Sequence, residues 1–229
     1  MNRLAFTVET RAGRRALEGR IEALIIAGWT GRDAAAVEHH IAELERLGVK
    51  RPKTTPIFYR AASSLLTTEG AIEVAGPDSS GEVEPVVVSL AEGLFVAVGS
   101  DHTDRKVEAQ GVTLSKQLCA KPISAMLWPL DEVAPHWDRL VLRSFAVTGG
   151  QRRPYQEGPV AALRPPVELM TKYLGGQGSL PPGTVMFGGT LAVPGDISPA
   201  DRFEIELEDP VLRRRLTHSY DIRVLPVEG

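Results

Sequence analysis

Residues 82–105 read EVEPVVVSLAEGLFVAVGSDHTDR and carry the strongest fold signal in the chain. Within them, two apolar runs rich in β-forming residues flank a short segment that contains a glycine. This pattern is typical of a β-hairpin. If the two-residue turn is centred between Glu92 and Gly93, the numbers of opposed residues sum to 185. Glu84 is then predicted to face Asp101 across the hairpin.

Three carboxylates are predicted to meet at the open end of this hairpin. Glu82 lies two positions from Glu84, so both side chains point to the same face of the strand. Repulsion between them and Asp101 is costly unless a cation lies among them. Three hard oxygen donors suit Mg²⁺ or Mn²⁺, and Ca²⁺ is a third candidate. The alternative is that Glu82 and Glu84 are solvated charges at a strand edge and that Asp101 caps a turn.

Bulk composition limits the class of protein. The 229 residues are 43% hydrophobic and 24% charged, with a net charge of −3, as is ordinary for a globular chain. No basic patch predicts a nucleic-acid partner, and we expect the arginine run 213–215 to be a solvated face or a subunit contact. No stretch resembles a signal peptide or a membrane span. The single cysteine, Cys119, excludes an internal disulfide, fits a cytoplasmic location and is expected to pack rather than to act as a nucleophile.

The spacing of apolar residues predicts a β-rich α+β fold with few helices. The clearest helix is expected from Thr30 to Leu47, where Thr30 and Asp33 form a capping box. A stripe of apolar residues at helical spacing supports this helix, and Gly48 is expected to end it. The stripe consists of Val37, Ile41, Leu44 and Leu47.

A second helix is predicted over residues 165–174, which begin with two prolines and are followed by two glycines. Residues 203–208 alternate apolar and acidic side chains, which predicts a half-buried strand with one wet face rather than a second metal site. Strands are predicted over 4–8, 20–26, 184–187, 202–207 and 216–224.

The order of motifs along the chain resembles that of the fumarylacetoacetate hydrolase superfamily. Its members carry E-x-E on one strand and a later D-x-[ST]-x-R, and this chain has Glu82-Val83-Glu84 followed by Asp101-His102-Thr103-Asp104-Arg105. Further matches are His40-Ile41-Ala42-Glu43 to H-x-x-E, 56–60 to P-x-x-F-x-K, 116–122 to a lysine segment leading to a proline, and 183–191 to a glycine-rich strand. The resemblance covers roughly residues 25–210. Arg60 stands where the superfamily commonly has lysine, and Leu191 stands where it has proline. The three carboxylates also lie closer together in the sequence than is usual. Because of these departures, the resemblance does not identify the substrate.

The resemblance implies a mixed β-sheet roll and a homodimer. It implies one catalytic domain over residues 1–229, with N-terminal strands and a lid helix in 1–50 and a metal-binding β core in 51–229. It also implies that Glu82, Glu84 and Asp101 hold one divalent metal ion.

Catalytic roles are expected for three residues. His40 and Glu43 lie three positions apart on the predicted helix, where the carboxylate can orient the imidazole and the pair can activate water. His39 lies four positions from Glu43 and is an alternative partner for it. A further alternative is that these residues form a polar helix face that has no catalytic function. Lys116 is expected to stabilise a developing oxyanion, the alternative being an ordinary surface lysine.

Substrate contacts are expected elsewhere along the chain. Arg105 and Thr190 are candidate anchors for a substrate carboxylate, the first through its guanidinium and the second through its hydroxyl or backbone N–H. The resemblance adds Gln156 as a pocket residue. His102 is expected to point to the strand face opposite Asp101 and to have a supporting or structural role.

Together these residues predict a metal-dependent enzyme that cleaves a C–C bond in a small-molecule 2-oxo or 1,3-dicarbonyl acid, by hydrolysis or decarboxylation. A hydratase, isomerase or lyase on a similar acid would use the same chemistry, and a non-catalytic metal-binding protein is a further alternative. Asp101→Ala is expected to weaken metal binding and to leave the fold intact, because one of three repelling carboxylates is removed.

Overall fold

A computed structural model describes residues 2–46, 51–176 and 178–228 of the chain. Within these ranges the strands form one eight-stranded sheet, one five-stranded sheet and two short two-stranded sheets. Both parallel and antiparallel pairs occur in the large sheets. The β-rich α+β fold with few helices that the sequence predicts is confirmed.

Elements are numbered in chain order. The eight-stranded sheet contains β1 (Asn2–Thr10), β2 (Gly13–Ile21), β3 (Ala23–Gly28), β4 (Ile57–Ala61), β8 (Val83–Leu90), β9 (Gly93–Ser100), β12 (Met126–Pro129) and β15 (Thr184–Phe187). The five-stranded sheet contains β6 (Ala71–Ala75), β13 (Val141–Thr148), β14 (Gln151–Pro159), β16 (Arg202–Asp209) and β17 (Arg214–Leu225). The short strands are β5 (Leu66–Thr67), β7 (Ser79–Ser80), β10 (Thr103–Asp104) and β11 (Lys121–Pro122).

Short helices connect the strands. The α-helices are α1 (Ala34–Arg46), α2 (Arg105–Glu108), α3 (Val112–Leu118), α4 (Leu130–Val133) and α5 (Pro166–Tyr173). The 3₁₀ helices span Ser63–Leu65, Ala134–Arg139 and Val160–Ala162. None of the helices in the described ranges has the length and apolar character needed to cross a membrane.

The hairpin of β8 and β9 lies in the middle of the eight-stranded sheet, between β15 and β12. Its apolar runs are buried on both faces because each face packs against a different hydrophobic core. Val87 and Val96 belong to the core shared with the five-stranded sheet, whereas Val86 and Phe95 belong to the core on the other side. This double burial fixes the strands that carry the acidic residues.

The predicted hairpin is confirmed, but the predicted register is wrong by two residues. Leu90 pairs with Gly93 and Glu84 pairs with Gly99, so opposed numbers sum to 183 and the turn is Ala91-Glu92. Gly93 is therefore the first residue of β9 rather than part of the turn, and its φ of +135° is one that glycine adopts readily. A shift of two positions keeps every side chain on its predicted face.

The predicted N-terminal helix begins later than expected. The first helical residue is Ala34, and Asp33 caps it, since its Oδ1 accepts hydrogen bonds from the backbone N–H groups of Ala35 and Ala36. Thr30 is instead buried against the glycine-rich loop after β15. Leu47 and Gly48 lie outside the described residues, as does the side chain of Leu44.

Other predicted elements are largely confirmed. The second predicted helix is α5, and β16 buries every second residue while its glutamates face outward. The expected strand 20–26 is divided, because β2 ends at Ile21 and β3 begins at Ala23. Cys119 is buried, which fits the packing role predicted for it.

The arginine run 213–215 is not simply a solvated face. The side chain of Arg214 is only 10% exposed and donates to Glu132 at 2.8 Å. Its guanidinium lies 4.6 Å from the centre of the Trp128 ring. The apolar face of Trp128 and an acidic partner explain why this arginine turns inward while Arg215 remains exposed.

Candidate metal centre

Three carboxylates converge where β8 begins and β9 ends. Glu82 precedes β8, Glu84 lies on β8, and Asp101 follows β9. One oxygen from each of these side chains lies within 4.8 Å of the others, so the predicted convergence is confirmed. The backbone N–H of Asp101 donates to the carbonyl of Glu82 at 3.0 Å, which holds the open end of the hairpin together. We call the three carboxylates of Glu82, Glu84 and Asp101 the acidic cup.

Glu84 is held by the loop that follows β15. Its Oε2 accepts a hydrogen bond of 2.7 Å from the backbone N–H of Gly189, and the side chain is almost fully buried. Gly189 has a φ of +95°, and a Cβ atom at this position would lie 1.7 Å from Oγ1 of Thr30. Glycine is therefore required for the loop to approach both Thr30 and Glu84.

Two cationic side chains contact Glu82. Arg105 donates from Nη1 to Oε1 at 2.9 Å, and Lys116 donates from Nζ to Oε2 at 3.1 Å. Both cations are presented by short helices that follow Asp101 in the chain, α2 and α3. Lys116 is 7% exposed, so the structure excludes the alternative of an ordinary surface lysine.

Two lysines contact Asp101. Lys116 Nζ donates to Oδ2 at 2.5 Å, and Lys121 Nζ lies 3.1 Å from Oδ1 while it donates to the carbonyl of His102. Lys121 is fully buried, and the motifs of the sequence predict no role for it. The available signal was a lysine in the mostly uncharged segment Cys119-Ala120-Lys121-Pro122-Ile123, because a lysine buried there needs an anionic partner.

The electrostatics of the acidic cup are uneven. Burial raises the pKa of the Glu84 carboxyl well above its ordinary value, and the charges of Asp101 and Glu82 raise it further. Burial acts in the same direction on Glu82, but Lys116 and Arg105 outweigh it and lower the pKa of this carboxyl to about 2. Burial disfavours the Lys116 ammonium, yet Asp101 and Glu82 raise its pKa above the ordinary value. Among the described residues, Glu84 is thus the carboxylate of the three that has no cationic side chain in direct contact.

The residues present fit a divalent cation. All three donors are carboxylate oxygens, the ligand type that Mg²⁺ and Mn²⁺ prefer. Asp101 Oδ1 is buried and accepts no hydrogen bond from any described residue, even though Lys121 lies nearby. A buried carboxylate oxygen without a hydrogen-bond donor is available as a metal ligand.

His102 lies behind the acidic cup in a buried polar network. Its Nδ1 lies 3.1 Å from the hydroxyl of Tyr220, and its Nε2 lies 2.9 Å from Oγ of Ser79. Burial, with the charges of Lys121 and Arg105, lowers the pKa of His102 to about 3. The imidazole is therefore neutral at physiological pH, as suits the supporting role that the sequence predicts.

The candidate substrate anchors differ in how many of their hydrogen bonds are already made. Arg105 contacts Glu82, Glu108 and Ser80, but its buried Nη2 has no hydrogen-bond partner in the described part of the chain. Gln156 bonds four groups, namely the N–H of Val83, Ser144 Oγ, Thr190 Oγ1 and the carbonyl of Leu191. These contacts give Gln156 a structural task, and its role in substrate binding stays a prediction, as does that of Thr190.

The residues of the predicted catalytic pair, His40 and Glu43, both belong to α1. The side chains of His40 and Glu43 lie outside the described residues, so their orientation relative to the acidic cup stays a prediction. The backbone of both residues is helical, and the neighbouring His39 is exposed.

Solved structures share this fold, which is that of the fumarylacetoacetate hydrolase-like proteins. A protein from Oleispira antarctica, provisionally assigned as a fumarylacetoacetate isomerase/hydrolase, has a TM-score of 0.67 at 17% identity, covering 95% of this chain and 98% of that chain. The 2-hydroxyhepta-2,4-diene-1,7-dioate isomerase from Mycobacterium marinum has a TM-score of 0.62 at 16% identity, covering 95% and 80%. A 2-keto-3-deoxy-D-arabinonate dehydratase complexed with magnesium and 2,5-dioxopentanoate has a TM-score of 0.64 at 18% identity, covering 95% and 79%.

The resemblance inferred from the motifs is thus confirmed for the fold. Within that fold, the chain belongs to the family described as "Protein of unknown function (DUF2848)", whose model matches residues 27–220. The matched range includes the acidic cup, Lys116 and Lys121. No curated protein shows a significant sequence match to the chain.

Proposed function

We propose that this protein is a divalent-metal-dependent enzyme that cleaves a C–C bond in a small 2-oxo or 1,3-dicarbonyl acid, by hydrolysis or decarboxylation. The observation that carries the proposal is the buried acidic cup with three cationic side chains around it. Among the described residues, Glu84 has no cationic side chain in contact and Asp101 keeps a buried oxygen without a hydrogen-bond donor, so both can offer an oxygen to an ion.

Glu82, Glu84 and Asp101 would hold the ion, either Mg²⁺ or Mn²⁺. Such an ion supplies Lewis-acid polarisation of substrate oxygens when it is bound. The Lys116 ammonium would offset the negative charge that develops on a substrate oxygen as the C–C bond breaks. Lys121, with its stem fully buried, would hold Asp101 in place. Nη2 of Arg105 has no hydrogen-bond partner among the described residues, which supports a role in binding the substrate carboxylate.

Hydrolysis also needs a base that activates water. In the proposed reaction, the water oxygen adds to the carbonyl carbon that is bonded to C3 on the side away from the 2-oxo group. The His40–Glu43 pair accepts the water proton, and the bond between C3 and this carbonyl carbon breaks. The electron pair of the broken C–C bond remains on the fragment that contains C3, which then takes up a proton. In decarboxylation no water adds, and carbon dioxide leaves instead.

Dehydration of a sugar-derived 2-oxo acid is the second candidate function. It is supported by the likeness of the fold to that of the dehydratase complexed with magnesium and 2,5-dioxopentanoate. The same cup and Lys116 would serve this reaction, because it too places negative charge next to a 2-oxo group. A non-catalytic metal-binding protein is the remaining alternative, and only a test of turnover separates it from the enzymes.

The test combines turnover with metal binding. The purified protein is incubated with acylpyruvates, oxaloacetate and sugar-derived 2-oxo acids, with Mg²⁺ or Mn²⁺, and products are identified by mass spectrometry. We expect turnover of one class, its loss with EDTA and its recovery with added ion. A saturating ion should also raise the melting temperature by several degrees, since about 100-fold excess over Kd stabilises by roughly 2.7 kcal/mol. A melting temperature unaffected by millimolar Mg²⁺, Mn²⁺ and Ca²⁺ would contradict the proposal.

Glu84→Gln is the matched variant for this test. The amide keeps an oxygen that can accept from Gly189, and the charge that is lost belongs to the cup residue that has no contacting cation among the described residues. We expect the variant to fold at least as stably as the wild type and to lose most of the metal-induced rise in melting temperature. Asp101→Ala is a poorer choice, because its removal would leave Lys116 and Lys121 buried without their shared partner.

We further propose that the protein is a cytoplasmic homodimer, on the basis of the resemblance and of the single cysteine. Light scattering would then give a mass near twice 24.8 kDa.

A further inference from the structure

The position of Lys116 bears on how the acidic cup binds metal. Its Nζ lies 2.5 Å from Asp101 Oδ2 and 3.1 Å from Glu82 Oε2, so one ammonium contacts two of the three candidate metal ligands. The residue is 7% exposed and is carried by α3, outside the β8–β9 hairpin that carries the cup. Lys116 therefore lies where a cation that joins Glu82 and Asp101 would lie.

Lys121 provides a contrast within the same site. It contacts Asp101 but neither glutamate, and its Nζ also donates to the carbonyl of His102. It is fully buried, and its backbone is paired with Leu66 in the short sheet of β5 and β11. Lys121 is thus fixed on one side of a single carboxylate, whereas Lys116 reaches between two carboxylates from a short helix.

We propose that Lys116 is a tethered ammonium that occupies the acidic cup in the metal-free protein and is displaced when a divalent ion binds. The inference rests on the proposed metal site. A monovalent and a divalent cation repel strongly at a few ångströms in a buried site, so both cannot contact the same pair of carboxylates without a large loss of affinity. The lysine stem has four rotatable bonds, so displacement would proceed through a change of rotamer.

Displacement would give Lys116 a second position. In the metal-free protein it neutralises repulsion within the acidic cup, and in the metal-bound protein its ammonium is released toward solvent and substrate. Metal binding would then place the cation that the proposed reaction uses. The same competition sets the metal affinity of the protein lower than the three carboxylates alone would give.

Chemical labelling of the wild-type protein tests displacement directly. The protein is treated briefly with an amine-acylating reagent, with and without saturating Mg²⁺, and labelling of each lysine is quantified by mass spectrometry. We expect Mg²⁺ to increase labelling of Lys116 by about tenfold or more, since the buried ammonium becomes accessible. Lys121 should remain protected in both states, and Lys172, whose side chain is 43% exposed, should be labelled equally in both.

Affinity measurements on variants test competition independently. Calorimetry with Mg²⁺ and Mn²⁺ compares the wild type with Lys116→Met and Lys116→Gln, and Lys106→Met removes an exposed lysine from neighbouring α2 as the control. We expect the Lys116 variants to bind at least about tenfold more tightly, because a repelling charge has gone. The Lys106 variant should bind as the wild type does. The glutamine variant retains a hydrogen-bond donor for one carboxylate if the methionine variant folds poorly.

The outcomes separate this inference from the proposed function. If the wild type binds metal while Lys116 stays protected and its variants bind no more tightly, displacement is overturned and the metal site stands. Binding by the Lys116 variants alone would mean that no ion displaces Lys116 in the wild type, and it would overturn displacement. Absence of metal binding in the wild type and in both variants would overturn the metal site, and the inference with it.

Discussion

Gly189 shows how a single position without a side chain shapes the acidic cup. It donates its backbone N–H to Glu84 while it lies against Thr30, and both contacts depend on the absence of a Cβ atom. The substitution Gly189→Ala should therefore lower the free energy of unfolding by about 2–4 kcal/mol, through steric overlap as well as an unfavourable φ. Urea denaturation followed by circular dichroism measures this change.

Gly195→Ala is the matched control for that prediction. Gly195 has nearly the same φ, +94°, but a Cβ atom there would meet nothing within 4 Å. Its cost should be only that of the backbone conformation, about 1 kcal/mol. Equal losses in the two variants would mean that the approach to Thr30 contributes nothing.

At the residue scale, the sequence predicts the carboxylates but not all of their partners. Glu82 and Glu84 are identified by a spacing of two, which is a local property of a strand. Asp101 is identified by the motif Asp101-His102-Thr103-Asp104-Arg105, which directly follows the second strand of the hairpin. Lys121 was missed because its contact with Asp101 depends on the pairing of β11 with β5, which local sequence does not encode. Because Lys116 and Lys121 both contact Asp101, the structure does not support the expectation that Asp101→Ala leaves the fold intact by removing a repelling carboxylate.

Among the elements, the network around His102 joins strands of both large sheets. His102 follows β9, and its ring contacts Ser79 of β7 and Tyr220 of β17. The unfolded chain takes up a proton at this imidazole near pH 6.5, whereas the folded chain, with a pKa of about 3, does not. The contribution of the neutral His102 to the free energy of unfolding is therefore fully present above about pH 6.5 and is lost as the pH falls toward 3.

The lowered pKa of His102 predicts that the folded protein loses stability as the pH falls below about 6.5. Between pH 7.5 and pH 5, His102 should account for a loss of about 2 kcal/mol in the free energy of unfolding. In the variant His102→Asn this part of the loss should disappear, as measured by urea denaturation at both pH values. Tyr220→Phe disturbs the same network but keeps the imidazole, so it should retain the wild-type pH dependence. An asparagine variant with an unchanged pH dependence would contradict the assignment.

The elements were predictable where their signals are local. The hairpin and α5 follow from apolar runs and from turn or cap residues that lie within them. The register was off by two, because nothing in the sequence shows whether Gly93 belongs to the turn or to the first pair of β9. The strand β2 was largely missed, since residues 13–20 are mostly charged or small and only three residues of β2 are buried.

For the whole molecule, the order of strands could not be predicted from the sequence. Strand β15 pairs in parallel with β3 across some 160 positions, and β12 lies beside both β1 and β9. Such pairings depend on the mutual burial of distant apolar faces, which periodicity alone does not specify. The strands β1–β3, which belong to the expected N-terminal segment 1–50, lie in one sheet with β8 and β9. That residues 1–229 form one catalytic domain stays a prediction.

Arg214 is the residue that ties these distant parts together. Its guanidinium donates to Glu132 of α4 and to the carbonyl of Glu9 of β1, and it lies over the ring of Trp128 of β12. It also lies 3.4 Å from the buried carboxylate of Asp209. Because Arg214 itself belongs to the five-stranded sheet and lies next to the turn between β16 and β17, these contacts join that sheet to the eight-stranded sheet beside this turn.

The substitution Arg214→Met should therefore destabilise the molecule as a whole. We expect a loss of about 2–4 kcal/mol in the free energy of unfolding, since Glu132 and Asp209 would lose a partly buried cationic partner. The neighbouring Arg215, whose side chain is 56% exposed, is the control, and Arg215→Met should change the free energy by less than about 0.5 kcal/mol. Urea denaturation of both variants, followed by tryptophan fluorescence and circular dichroism, measures the difference. Equal effects in the two variants would show that the inward position of Arg214 does not hold the sheets together.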